Sequence, residues 1–142
     1  MATTRTATAQ WKGALFDGSG TVSLDSSGLA TYEVSWPSRA EAANGKTSPE
    51  ELIAAAHSSC YSMALSHELA QAGTPPQSVV TKADVTFQPG EGITGIVLSV
   101  QAQVPGVSAE DFQKAAQAAK TGCPVSKALS GTTITLNAEL VG

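Results

Sequence analysis

Charge is scarce in this chain. Only 14% of its 142 residues are Asp, Glu, Lys or Arg, and the eight basic residues are scattered along the sequence. No basic stripe exists to follow a phosphate backbone, so nucleic-acid binding is not expected. Long hydrophobic runs are missing too. None approaches the ~18 residues that a membrane-spanning helix needs. The start, Met1-Ala-Thr-Thr-Arg-Thr-Ala, has no charged segment followed by an apolar core, so no secretion signal is read and a cytoplasmic, soluble protein is expected. A chain of this length suits one domain, residues 1–142, and buries roughly 70% of its unfolded surface without metals or disulfides. Few charges among many alanines leave neutral surface, which favours burial against a second copy and hence a homodimer.

The pattern of elements reads β-β-β-α-β-β-α-β, an α+β arrangement. Residues 7–36 form a strand meander that reverses at Asp25-Ser-Ser-Gly28, and residues 37–47 form a polar loop holding Arg39. A helix starts after Ser48. Pro49 suits the first helical position and Glu51 completes a Ser-x-x-Glu capping box. Its apolar residues run nearly all round to Ala72, the mark of a buried helix. Strands follow at 78–88 and 93–104. A second helix covers 109–121, capped by Ser108 with Asp111 and stopped by Gly122. A short helix over 124–129 and a closing strand over 133–141 complete the chain.

What the chain does have is two cysteines in different settings. Cys60 lies deep in the first helix, and Cys123 sits 63 residues later on a Gly-Cys-Pro corner. A reducing compartment argues against a purely structural disulfide and towards a reactive thiol with a partner. A thiol reacts as its thiolate, and an apolar setting opposes that charge unless a cation or donor stands nearby. Two candidates offer themselves. His57 is three residues before Cys60 on the same helix face, and Arg39 is a lone guanidinium in the preceding loop. Taken alone, each has a plainer reading: a small core residue, a satisfied core histidine, a solvated loop charge.

The motifs sharpen the choice. Thr47-Ser-Pro-Glu-Glu-Leu-Ile-Ala-Ala-Ala-His-Ser-Ser-Cys60-Tyr-Ser-Met-Ala-Leu65, with Ala119-Lys-Thr-Gly-Cys123-Pro-Val-Ser126, closely resembles the OsmC branch of the OsmC/Ohr family of organic hydroperoxide peroxidases. Ala9-Gln-Trp-Lys-Gly13, Gly20-Thr-Val-Ser23 and Thr135-Leu-Asn137 also fit, so the likeness spans nearly the whole chain. Ser48 departs from the family's frequent Asn, but it remains an N-cap.

The resemblance implies an OsmC-like fold, an intertwined homodimer, and a two-cysteine peroxidase of stress defence. Cys60 corresponds to the peroxidatic cysteine and Cys123 to the resolving one. Arg39 and Glu50 match the family's paired arginine and glutamate. No cofactor is implied, the reductant being an external dithiol or lipoyl-type reductant and the substrate an organic hydroperoxide. One consequence is geometric. Glu50 and Cys60 are ten residues apart, ~15 Å along an unbroken helix, so Glu50 and Arg39 are expected to serve the Cys60 of a partner chain. Trp36, Met63 and Phe87 are expected to line an apolar substrate pocket. Three other readings compete. One is a metal-binding module using His57, Cys60, His67 and Cys123, although His57 and His67 lie ~15 Å apart on the helix and cannot share an ion. Another is a general thiol–disulfide exchanger, which lacks its usual CxxC spacing. The last is a non-enzymatic stress-related dimer that binds a ligand in its cleft.

Overall fold

The computed structural model describes residues 1–142. They fall into two compact units, Met1–Leu52 and Ile53–Gly142, with the boundary inside the first turns of one long helix.

The first unit is built on an antiparallel meander of β1 (Thr8–Lys12), β2 (Ser19–Ser23) and β3 (Thr31–Val34). Trp11 pairs with Gly20 across β1 and β2, and a side chain on Gly20 would collide with the Trp11 ring. Glycine is therefore what lets the indole lie flat over the neighbouring strand. The segment expected to be loop is partly helical: α1 spans Trp36–Ala40 and carries Arg39. Ser35 causes this. Its hydroxyl accepts from the Ser38 N–H, the Ser38 hydroxyl returns a bond at the Ser35 backbone, and Pro37 fits the first turn. The third strand accordingly stops two residues earlier than its hydrophobic pattern suggests.

Helix α2 (Pro49–Gln71) is unbroken. Ser48 Oγ accepts from the Glu51 N–H at 3.1 Å, as expected of a cap, but the Glu51 carboxylate takes the Thr47 hydroxyl at 2.6 Å instead of closing the box. Pro49 leaves one fewer terminal N–H to satisfy, and the two glutamates of the first turn complement the helix dipole.

In the second unit, β4 (Ser78–Gln88) and β5 (Gly92–Gln103) make a long antiparallel hairpin whose register shifts at Thr86/Phe87. Its turn needs positive φ at Gly90 and Gly92, +86° and +102°, where a Cβ would be strained. Strand β6 (Ile134–Leu140) then pairs parallel to β5, which requires a crossover. That crossover is α3 (Ala109–Gly122) followed by α4 (Pro124–Ala128).

The core follows directly from the side-chain periods. On β5, Ile96, Leu98, Val100 and Ala102 are buried at every second position. On α2, His57, Tyr61, Leu65 and Leu69 are buried at every fourth, and on α3, Phe112, Ala116 and Ala119 repeat with helical spacing. The expectation of a helix buried all round is met on one side only. Ala55, Ala56, Ser59, Met63 and Ala70 of α2 remain exposed in the chain, Met63 by 72%.

Leu65 is fully buried within this core. Leu65→Ala is expected to lower unfolding free energy by about 2–5 kcal/mol through lost transfer energy and a residual cavity, measured by equilibrium urea denaturation. A loss below about 1 kcal/mol would show that the α2 face packs against something softer than a close-fitted core.

Candidate active site

The buried stripe of α2 determines where Cys60 points. Tyr61 donates its hydroxyl to the Ala116 carbonyl of α3 at 3.0 Å, and His57 Nε2 meets the Ser126 hydroxyl of α4 at 2.7 Å. These two polar tethers flank Cys60 and fix its helix face against the α3–α4 corner. Cys123 occupies that corner. Its N–H closes the end of α3 on the Ala119 carbonyl at 2.9 Å, and its own carbonyl starts α4 by accepting from Lys127 N–H at 3.1 Å. Pro124 follows at the first position of α4, so the chain turns sharply at the cysteine.

The result is a contact between the sulfurs. Cys123 Sγ lies 2.8 Å from Cys60 Sγ, both thiols being free, with Cys60 half-buried and Cys123 fully buried. Two ionisable groups this close titrate as a pair, with one proton between them in the singly charged state. Burial pushes the Cys60 thiol up and its hydrogen bond to Cys123 adds to that, outweighing the Val125 N–H, which favours the thiolate. Burial also resists charge on Cys123, but it is outweighed by the hydrogen bond from Cys60 and by the Ser126 N–H, the Ser126 hydroxyl and the Val125 N–H, so Cys123 is held below the usual thiol range. The charge has a neighbour in Tyr61, whose phenol is pushed well up by burial and then by Cys123.

His57 is fully buried and its imidazole is held below its ordinary value by that burial, so it stands neutral beside the pair. The i−3 spacing points His57 towards Cys60, but its hydrogen bond goes to Ser126. Ser126 was visible only as part of the Gly-Cys-Pro-Val-Ser motif, and its position three residues after Cys123 is the signal that finds it. His67 is exposed on α2. No group of three His, Cys, Asp or Glu side chains converges as a metal-ligand set.

Arg39 and Glu50 form a second pair, in the Met1–Leu52 unit. Arg39 Nε donates to Glu50 Oε1 at 3.1 Å and Nη2 to Oε2 at 3.0 Å, the parallel two-bond geometry of a guanidinium on a carboxylate. Glu50 is 6% exposed, so its charge is matched where water is scarce. Glu50 sits in the first turn of α2. The four sequence-predicted residues are thus gathered as two pairs. Beside Arg39 lies an apolar cavity of about 340 Å³ lined by Trp11, Leu15, Val34, Trp36 and Pro49. Of the three residues expected to line a pocket, Trp36 borders this one; Met63 is exposed on α2 and Phe87 is half-buried on β4.

A profile described as OsmC-like protein matches residues 42–138, more than half of the chain. The sequence is 44% identical over 135 residues to peroxiredoxin OsmC of Escherichia coli (strain K12), covering 93% of each chain. Among solved structures, an organic hydroperoxide resistance protein from Elizabethkingia anophelis superposes with a TM-score of 0.70 at 27% identity, covering 99% of this chain and 100% of the other. An OsmC-like protein from Mycoplasma pneumoniae superposes over 100% of both chains with a TM-score of 0.75 at 16% identity, a likeness of fold alone. The arrangement of strands and helices, the two cysteine motifs in order, and this extent of identity lead to one assignment: the chain belongs to the OsmC family.

Proposed function

We propose that this protein is a thiol peroxidase that reduces organic hydroperoxides to alcohols in defence against oxidative or osmotic stress. The single observation that carries the reading is the 2.8 Å contact of two free cysteines drawn from distant parts of the sequence. Membership of a family whose relatives are named peroxiredoxin and organic hydroperoxide resistance protein supports it.

Cys60 is the peroxidatic residue in this reading, because it is the half-buried sulfur of the pair and Cys123 is enclosed. Its thiolate attacks the terminal oxygen of R–O–OH. A sulfur–oxygen bond forms as the weak O–O bond breaks, and the departing alkoxide takes a proton to leave as the alcohol. The sulfenic acid on Cys60 then meets Cys123 already in contact, and condensation to a disulfide forestalls further oxidation. An external dithiol, of the lipoyl type among the candidates, resets the pair by exchange. The cycle calls for no metal or prosthetic group.

Burial and Cys123 disfavour the Cys60 thiolate by more than the Val125 N–H favours it, so the reading needs a cation at Cys60. Arg39, oriented by Glu50, is that cation in our proposal, delivered from a partner chain to the Cys60 of this one. Residues 1–142 act as one domain in such a homodimer, and the exposed small-residue strip of α2 gives the close helix contact it needs. The apolar cavity beside Arg39 favours a hydroperoxide with an organic tail over hydrogen peroxide. No helix is long and apolar enough to cross a membrane, and in this reading the protein acts in the cytoplasm, where thiols are kept reduced between turnovers.

Cys60→Ser is expected to abolish turnover of cumene hydroperoxide with a dithiol reductant; activity retained in that variant would remove Cys60 from its role. Cys123→Ser is expected to complete one reduction, stall, and accumulate sulfinic acid on Cys60 under excess peroxide. Normal recycling of that variant, followed by mass spectrometry, would take the resolving role away from Cys123.

A further inference from the structure

His57 is fully enclosed, yet one of its ring nitrogens, Nδ1, has no hydrogen-bond partner. A neutral imidazole carries one N–H and one bare nitrogen. Leaving a buried N–H unmatched costs more than leaving a lone pair unmatched, so the orphaned Nδ1 is the bare nitrogen and the proton sits on Nε2. That nitrogen faces Ser126 Oγ at 2.7 Å. The imidazole therefore donates, and the serine oxygen accepts, which leaves the serine's own hydroxyl proton to be donated elsewhere. Ser126 lies on α4, three residues after Cys123 at its N-cap, and its hydroxyl favours charge on the Cys123 sulfur. The groups that titrate around this sulfur are Cys60 and His57 of α2 and the phenol of Tyr61, also of α2.

We propose that His57 and Ser126 are positioning residues for the resolving half of the cycle: the His57 Nε2–H holds the Ser126 oxygen, and the Ser126 hydroxyl proton is thereby aimed at Cys123, keeping that sulfur ready to attack oxidised Cys60. The inference rests on the peroxidase reading above and deepens it. In the first step the alkoxide takes up a proton and the charge of the pair passes to Cys123. The Cys123 thiolate then attacks the sulfenic sulfur of Cys60. The S–S bond forms as the S–O bond breaks, hydroxide leaves and is protonated to water, Cys123 is oxidised and the Cys60 sulfur is reduced to the disulfide level. A hydrogen bond from Ser126 steadies the attacking charge without being consumed, and His57 keeps that hydroxyl from turning away.

The test is rapid-quench mass spectrometry of the full chain after mixing with cumene hydroperoxide, counting dimedone-trapped sulfenic acid on Cys60 and the Cys60–Cys123 disulfide separately. Ser126→Ala and His57→Leu are expected to slow the conversion of sulfenic acid to disulfide by about tenfold, the worth of one charge-assisted hydrogen bond, so that sulfenic acid accumulates. Ser126→Thr keeps the hydroxyl, and His57→Gln keeps an N–H near the place of Nε2; both are expected to restore most of the conversion rate. Should Ser126→Ala fail to fold, His57→Leu against His57→Gln carries the comparison. Conversion at the parent rate in Ser126→Ala or His57→Leu would overturn the proposal. So would a slowing that the Thr and Gln variants share in full, which is what a packing defect produces. A parent chain that forms neither sulfenic acid nor disulfide would instead sink the peroxidase reading itself.

Discussion

The contact between Cys60 and Cys123 obliges two ionisable sulfurs to share one confined place and, in their singly charged form, one proton. Most of the second unit serves to hold that contact. The buried stripe of α2 runs His57, Tyr61, Leu65, Leu69, and its two polar members reach α4 and α3, so the helix can neither rotate nor slide without breaking a buried hydrogen bond. The parallel pairing of β5 with β6 demands a crossover, and the corner of that crossover is where Cys123 stands. Topology thus delivers the second sulfur to the first, and side-chain tethers fix the approach.

Charge is handled unevenly across the pair. Burial opposes charge on both sulfurs, but Cys123 has donors at the start of α4 and in Ser126, whereas Cys60 has the Val125 N–H alone against burial and a competing thiol. This asymmetry suits a division of labour in which the resolving sulfur is supplied with its stabilising groups inside the chain. In the proposed cycle the attacking sulfur, Cys60, draws on a cation brought to it. Reduction of an organic hydroperoxide in that cycle requires Cys60 to be assembled with the Arg39–Glu50 ion pair of a second chain. The carboxylate fixes the guanidinium through two parallel bonds, an orientation that lysine would not give.

Much of this was legible in the residues because local rules were strong there. Ser48 and Pro49 mark the start of α2, Ser108 that of α3, and the alternation from Ile96 to Val104 marks a strand with one buried face; all three stand close to where those patterns put them. The segment after Trp36 was harder to read. A residue before proline is biased towards extended backbone, and that bias hid a short helix whose cap is Ser35 with Ser38. Burial on α2 was overestimated because alanine and serine carry little information about which side faces a partner. The His57–Ser126 bond joins positions 69 apart in sequence, and no periodicity links them. The i−3 relation of His57 to Cys60 pointed to the sulfur as its partner, and only the placement of α4 shows that it meets Ser126 instead.

The central claim is that an arginine from a partner chain makes the half-buried Cys60 a thiolate. Its most direct test is a thiolate titration by ultraviolet absorbance on a Cys123→Ser chain, where Cys60 is the sole thiol, with and without Arg39→Met. The account predicts that Cys60 ionises below the ordinary cysteine value of about 8.5 when Arg39 is present and shifts above it when the guanidinium is removed. A Cys60 that titrates at or above the ordinary value in both chains would contradict it.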